Sequence, residues 1–326
     1  LTCSQLEKYT CYRYQMVAIS IHRSGKRTLS YDFDFNSIFF VAKRLKMKPS
    51  ASIISLAIAA LLCIDSSQAS EPAAVGDEVI AEQRENLSRY AQGKGYGPQS
   101  PRDVNATTGE NVINFGLAPS YSDMYLCNIH FHKNAEHKGS EFNIYAGNGD
   151  GQGSGTGYVS SQELSPEERA PFKYKVANID PGDTIEVHYV FSTAKVKPGP
   201  TLGACLADST MNPQLRVEAQ VFVVVNDDNA LDFVALAEVA EVKGRHQAIN
   251  MPNNSQRSIQ YTGSTTGPKY NEKASPFQVT WSVQQSVNKV SISSIKVWLD
   301  KNIFEEKEAH GVRNLVINKY LLSTIK

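Results

Sequence analysis

The sequence is short of the features that would place it in several common classes. Its 326 residues include five cysteines and two tryptophans, show no excess of either charge, and contain no apolar run of the ~20 residues needed to cross a bilayer. The apolar stretch Ala51–Ile64 is too short for that. Of the 33 Lys/Arg and 33 Asp/Glu, nine basic and four acidic residues fall in 1–69, which leaves 24 against 29 in 70–326. A mildly acidic body offers no clustered Lys/Arg for nucleic acid or an anionic membrane, so neither is expected as a partner. Only Cys127 and Cys205 lie in 70–326. In an oxidising compartment they can pair; in a reducing one they are two buried thiols.

Around the apolar stretch the sequence passes from basic residues at Lys43–Lys48 to small polar ones at Ser66–Ala69. That is the order of a secretory signal peptide, with Ser67-Gln68-Ala69 as a small-x-small cleavage site. A lipid anchor on Cys63 fits less well, because bulky Leu62 stands where a small residue is needed. Met47-Lys48 sits where such a peptide starts. Residues 1–46 have no clear period and are expected to be a non-native upstream extension rather than an authentic one. The expected order is then 1–46 extension, 47–69 signal peptide, 70–98 N-terminal helical and loop segment, and 99–326 main domain. The mature protein is expected to have no stable membrane span and to be exported, periplasmic or secreted.

In the body, residues 76–92 pattern as a helix stopped by Gly93 and Gly95. Short β-rich runs follow: Tyr125–His132, Phe142–Tyr145, Thr184–Phe191, Gln214–Val225, Phe277–Val283 and Val290–Leu299. Turn-rich segments separate them at Gly147–Gly157, Lys197–Gly203 and Asn250–Gln256. The fold class is all-β dominated, with few short helices. Gly147–Gly157 lacks the carboxylates of a calcium loop and the Lys-Ser/Thr of a phosphate loop, and is expected to be a flexible hairpin connection. Asn86, Asn105 and Asn253 lie in N-x-S/T triplets, which matter only in a eukaryotic secretory pathway.

Six histidines lie in the body, two of them in CNIHFHK. Residues two apart on a strand share a face, so His130 and His132 present two imidazoles side by side while Phe131 turns away. The pair suits zinc, although two surface histidines would give the same pattern. TIEVHYVF places His188 on an apolar strand with Glu186 two residues before it, and Asn128 stands in the same relation to His130. Acceptors so placed can take the second N–H of a ligating ring and fix its tautomer. Three neutral histidines leave a fourth tetrahedral position open, as in catalytic zinc sites.

These residues resemble the delta-class carbonic anhydrases, with several motifs similar to those of the alpha class, over roughly Gln99–Arg313. Gln99–Val104 resembles the Q-S-P-x-D-I entry motif and His130-Phe131-His132 the metal strand. Gly139-Ser140-Glu141 resembles the G-S-E that follows it, and Glu186-Val187-His188 the third-ligand strand. Tyr261–Pro268 resembles the Y-x-G-S-L-T-T-P loop and Val279-Thr280-Trp281 the V-T-W after it. The resemblance implies a single alpha-carbonic-anhydrase-like domain over 99–326, built on a large, mainly antiparallel sheet. It implies reversible hydration of carbon dioxide to bicarbonate and a proton, by hydroxide on a Zn2+ ion held by His130, His132 and His188. Thr266 would orient the hydroxide and pass its own proton to Glu141, with Glu136 as rival because the stretch from His132 is one residue shorter than in the alpha class. Val190 and Trp281 would line the carbon dioxide pocket, and a Cys127–Cys205 disulfide would brace the metal strand. Gly267 and Lys269 depart from the alpha loop. No histidine occurs between Ser70 and Asn128, where the alpha class carries its proton shuttle, so His137 is the nearest candidate in sequence.

Two other readings compete. His130-x-His132-x-x-x-Glu136 fits half of a cupin metal motif, which leaves Gln99–Val104 and Tyr261–Pro268 unexplained. A catalytically silent carbonic-anhydrase-like binding module would ordinarily lack a histidine ligand, whereas all three are here. For the leader, mass spectrometry of the protein from its native source should find an N-terminus at Ser70. Recovery of any peptide from Thr28–Arg44 would show that the upstream stretch is genuine.

Overall fold

The computed structural model describes residues 73–91, 103–104, 109–111, 115–210, 212–252, 258–264, 277–314 and 316–322, all within the unit Ser70–Lys326. The expected leader, Gln99–Arg102 and Thr266 lie outside the described residues.

Helix α1 (Asp77–Ala91) has Asp77 and Glu78 in its first turn and Arg89 in its last, charges that complement the helix dipole. It buries Ile80, Gln83, Leu87 and Ala91, the last two against Val316, Leu321 and Leu322. Strands follow as β1 (Tyr125–Lys133), β2 (Ile144–Asn148), β3 (Thr156–Val159), β4 (Thr184–Ser192) and β5 (Leu215–Val225). A one-turn helix α2 (Phe233–Leu236) comes next, then β6 (Val239–Val242), β7 (Arg245–Ala248), β8 (Ser258–Ser264), β9 (Gln278–Ser291) and α3 (Ile292–Asp300). The main sheet has the order β1-β4-β5-β9-β8, while β2–β3 and β6–β7 are separate pairs. Only β5–β9 is parallel among its pairings, so the sheet is mixed and mainly antiparallel, as expected. This open sheet is not the barrel that a cupin requires.

Every residue of β4 and β5 is buried, because both faces of these strands carry a core. On one side Ile185, Val187, Tyr189 and Phe191 of β4 join Phe131, Phe233, Ile295 and Trp298. On the other, Val190 joins Val217, Ala219, Tyr261, Val279 and Trp281. The run Val290–Leu299, expected as a strand, is instead the end of β9 and then α3. Ser291 stands at the N-cap, and Ile292, Ile295 and Leu299 recur at helical rather than alternating spacing. Four strands escaped the sequence reading: β3, β6 and β7 are four residues each, and β8 was read as part of a loop.

The Gly147–Gly157 segment does connect β2 to β3, but it is docked rather than loose. Gln83 Nε2 donates to Gly151 O at 2.7 Å and Val312 N to Gly153 O at 2.7 Å. Asp150 Oδ1 accepts from the backbone of Gln152 and Ser154, a turn rather than a ligand site. Gly153 has φ +115°, and a Cβ on Gly311 would come within 2.8 Å of the Gly153 backbone, so two glycines let these segments touch.

Cys127 and Cys205 form a disulfide with Cα atoms 5.0 Å apart. The extra residue that puts Cys127 on the second core's side is a β-bulge between Leu126 and Asn128. The bond ties β1 to the turn Leu202–Cys205, and Gly199 N adds a hydrogen bond to Cys127 O at 3.0 Å. Closing a loop of 78 residues contributes about 4 kcal/mol on the chain-entropy model. Cys127→Ser, Cys205→Ser and the double variant should each lose about 2–5 kcal/mol in urea unfolding. The double should match the singles, since one bond is removed in every case; single-variant losses that add would contradict the bond.

Candidate functional site

Register decides what meets at the centre of the sheet. In the β1–β4 pair His130 lies opposite His188, His132 opposite Glu186 and Asn128 opposite Val190. Alternation then turns Phe131 to the far face, where it packs on Phe233 and Trp298. Ring centroids are 5.3 Å apart for His130–His132, 5.1 Å for His130–His188 and 4.8 Å for His132–His188. The three imidazoles expected from parity are thus neighbours.

Each ring has one nitrogen committed. Asn128 Nδ2 donates to Gly199 O at 3.1 Å, so Asn128 Oδ1 is the acceptor for His130 Nδ1–H at 2.6 Å. His132 Nδ1–H donates to Gly311 O at 2.7 Å, and His188 Nε2–H to Glu186 Oε1 at 2.8 Å. A carbonyl or carboxylate can only accept, so the lone pairs fall on Nε2 of His130 and His132 and Nδ1 of His188. Asn128 and Glu186 stand where the sequence placed them. Gly311 was missed, because a backbone carbonyl 179 residues away leaves no local signal.

Burial, reinforced by mutual repulsion among His188, His132 and His310, holds His130 well below the ordinary histidine value. Burial and His310 likewise bring His132 down to about 4, and burial lowers His188. The rings are therefore neutral at pH 7, the form that binds metal. Glu186 is the opposite case. Burial alone would raise its pKa, but the charge and hydrogen bonds of His137, with the hydrogen bond from His188, hold it well below the carboxylate range. Its Oε1 also accepts from His137 Nδ1 at 2.7 Å and its Oε2 from His137 N at 3.0 Å.

His137 is fully buried, and its Nε2 is hydrogen-bonded with Tyr261 Oη at 2.6 Å. With both nitrogens committed and no exposure, it is not placed to carry protons to solvent; it supports Glu186 instead. Glu141 is held beside a bulge in the sheet. Between Ala219 and Val221 of β5, β9 advances from Val283 to Val287, and Glu141 Oε2 accepts from Val287 N at 2.8 Å beside this bulge. Glu141 does not line the cleft, whereas Glu136 does. Glu136 is 4% exposed, with Oε2 3.6 Å from His188 Nε2, and burial raises its pKa.

The cleft has a volume of about 690 Å³. One wall is apolar, made of Val190, Leu202, Leu215, Val217, Val279 and Trp281; the other carries Glu136, Glu305, Glu306, His310 and Arg313. Val190 and Trp281 are thus in the pocket, and Trp281 packs edge-on against His188 at 5.2 Å. His310 is a cleft residue that the sequence reading passed over. Its ring stacks on His130 at 5.1 Å and its Nε2 meets Glu306 Oε2 at 2.7 Å. The closest donor-atom groupings, all atoms within 4.8 Å of one another, are His130/His132/His310, His132/Glu136/His188 and His137/Glu186/His188. The His130/His132/His188 trio is not itself one of these sets but shares members with each, and any of them could hold a metal ion.

Residues 121–294 match the family model described as Delta carbonic anhydrase, more than half of the chain. The chain belongs to the delta carbonic anhydrase family. It is a carbonic anhydrase, and hydration of carbon dioxide is its activity. No curated protein matches it. Among solved structures it is similar to the Photobacterium profundum alpha-carbonic anhydrase at 14% identity, with 74% of this chain and 94% of that one covered and a TM-score of 0.25. It is also similar to the alpha-carbonic anhydrase from Thermovibrio ammonificans in complex with the inhibitor sulfanilamide, at 15% identity, 69% and 87% coverage and a TM-score of 0.24. Membership of this carbonic anhydrase family replaces the cupin alternative. No helix of the described residues is long and apolar enough to cross a membrane.

The shifted histidines make a prediction about acid. Between the ordinary value of 6.5 and about 4, where folded His132 takes up its proton, the unfolded chain binds protons that the folded rings refuse. Stability of the metal-free carbonic anhydrase is therefore full above pH 6.5 and falls as pH drops toward 4. Glu136 and Asp183, whose pKa values burial raises, oppose this in the carboxylate range, and His310, raised by its hydrogen bond to Glu306, opposes it from pH 6.5 upward; Glu186, held low by His137 and His188, adds to it below the ordinary carboxylate value. Urea midpoints measured from pH 7.5 to 4 should decline, and a midpoint constant across that window would contradict the neutral-ring assignment.

Proposed function

We propose that the protein is an exported zinc enzyme that hydrates carbon dioxide reversibly, with the metal held by Nε2 of His130, Nε2 of His132 and Nδ1 of His188. The observation that carries this reading is the three-fold commitment of the opposite nitrogens to Asn128, Gly311 and Glu186. That pattern presents three lone pairs without further rearrangement of protons. Zinc held there supplies the Lewis acidity that brings a water's pKa to about 7.

The residues around the metal have separate tasks. Val190 and Trp281 offer carbon dioxide, an apolar substrate, the apolar wall beside His188. Thr266 accepts a hydrogen bond from the attacking oxygen at Oγ1 and gives its own proton to a carboxylate. The carboxylate that takes it is Glu141, with cleft-lining Glu136 as its rival. Glu186 remains ionised behind His188 and keeps its proton on Nε2. Export is supported by the leader-like sequence and by the disulfide, a bond that persists in oxidising compartments.

The test is a carbon dioxide hydration assay with and without a chelator, on the purified protein and its variants. One zinc should be bound per chain. His130→Ala, His132→Ala and His188→Ala should each lose metal and activity, and full metal occupancy without turnover in the parent would mark a silent module. Thr266→Ala should keep zinc and lower kcat about 10²-fold or more, while Thr266→Ser retains most of it. Glu141→Gln should match Thr266→Ala, the double variant should add little, and Glu136→Gln should be mild. A severe Glu136→Gln beside a harmless Glu141→Gln would transfer the role to Glu136.

A further inference from the structure

The zinc reading uses three of the four imidazoles that line the cleft and leaves His310 without a task. Its donor nitrogen lies within 4.8 Å of those of His130 and His132. Its ring centroid is 5.1 Å from His130 and 5.6 Å from His132, close to the 4.8–5.3 Å that separate the other three rings. The proton arrangement also repeats. His310 Nε2–H donates to Glu306 Oε2 at 2.7 Å, as His188 Nε2–H donates to Glu186. A neutral ring so held keeps its lone pair on Nδ1, and a carboxylate partner strengthens an imidazole as a metal donor.

Two further facts distinguish this ring. Its backbone is clamped to the metal strand: His310 N donates to Phe131 O at 2.9 Å and Lys133 N to His310 O at 3.0 Å. Its side chain is nevertheless 44% exposed, whereas His130 and His188 are 8% and 2% exposed on strands. The position is thus fixed beside the metal while the ring remains at the cleft surface.

We propose that His310 is a fourth, exchangeable imidazole donor to the metal, which hydroxide, bicarbonate or another small anion would displace. The step is ligand exchange alone: one metal–nitrogen bond breaks as one metal–anion bond forms. This rests on the zinc reading, in which His130, His132 and His188 are the permanent donors.

The experiment uses the full chain loaded with Co(II), read by visible absorption during an azide titration, together with zinc affinity from competition with a chromogenic chelator. His310→Ala should weaken zinc about tenfold or more, change the ligand-field bands before azide is added, and lower the azide concentration at half-change by a comparable factor. The backbone bonds at position 310 do not depend on the side chain, and circular dichroism checks the fold. Unchanged zinc affinity and bands in His310→Ala, beside metal loss in His188→Ala, overturn the fourth donor and leave the zinc reading intact. Metal retained in His188→Ala but lost in His310→Ala would instead overturn the zinc reading, with His310 as a permanent ligand.

Discussion

His130 stands opposite His188 across β1 and β4, and most of the site follows from that pairing. A slip of one residue would turn the imidazoles into the Phe131–Trp298 core and bring Phe131 and Val187 to the cleft. Such a slip is opposed on both faces at once, because β4 is buried along its whole length. The apolar residues that exclude the wrong register are not in the site; they lie on the reverse of the same strands. The arrangement of the three imidazoles is therefore set by hydrophobic packing on the opposite face of their strands.

The same burial creates an electrostatic demand. Glu186 is a carboxylate with no exposure, and an isolated charge there would be strongly unfavourable. Three N–H donors answer it: the His137 ring, the His137 backbone and the His188 ring. His137 is in turn held by Tyr261 on β8, at the opposite edge of the sheet from β1. The orientation of His188 thus depends on a chain that spans the sheet. Replacing Tyr261 or His137 acts on His188 through Glu186 rather than by contact.

The parts of this arrangement that were legible in the sequence are those encoded by spacing along one strand. Parity of two placed His130 beside His132, Asn128 before His130 and Glu186 before His188, and the β-rich runs located the central strands. What was not legible depends on turns and distant segments. Gly139-Ser140-Glu141 resembles a known triplet, but no local pattern shows that the chain leaves β1 through Asn134 at φ +67°. That turn brings Glu136 back to the cleft and sends Glu141 to the bulge in β9. His310 and Gly311 reach the site through the docking of a C-terminal segment on β1 and on the Gly153 turn, contacts that no local pattern announces. The α3 error has another cause. A short apolar run has weak periodicity, and the β-branched residues that end β9 continue into the helix.

The two cleft walls are built by different means, and this difference bears on which residues can move. The apolar wall combines sheet residues, Val190, Val217, Val279 and Trp281, with Leu202 from a turn that the Cys127–Cys205 bond fixes to β1. The polar wall is largely the segment Phe304–Arg313, which has no repeating structure of its own. It is held through backbone bonds to Phe131, Lys133 and Gly153. Side chains on strands are positioned by neighbours on both faces, whereas those on such a segment keep rotamer freedom even when their backbone is fixed. The donors proposed as permanent accordingly lie on β1 and β4. A group that must approach and leave the metal belongs on the polar wall, and His310 is the imidazole found there.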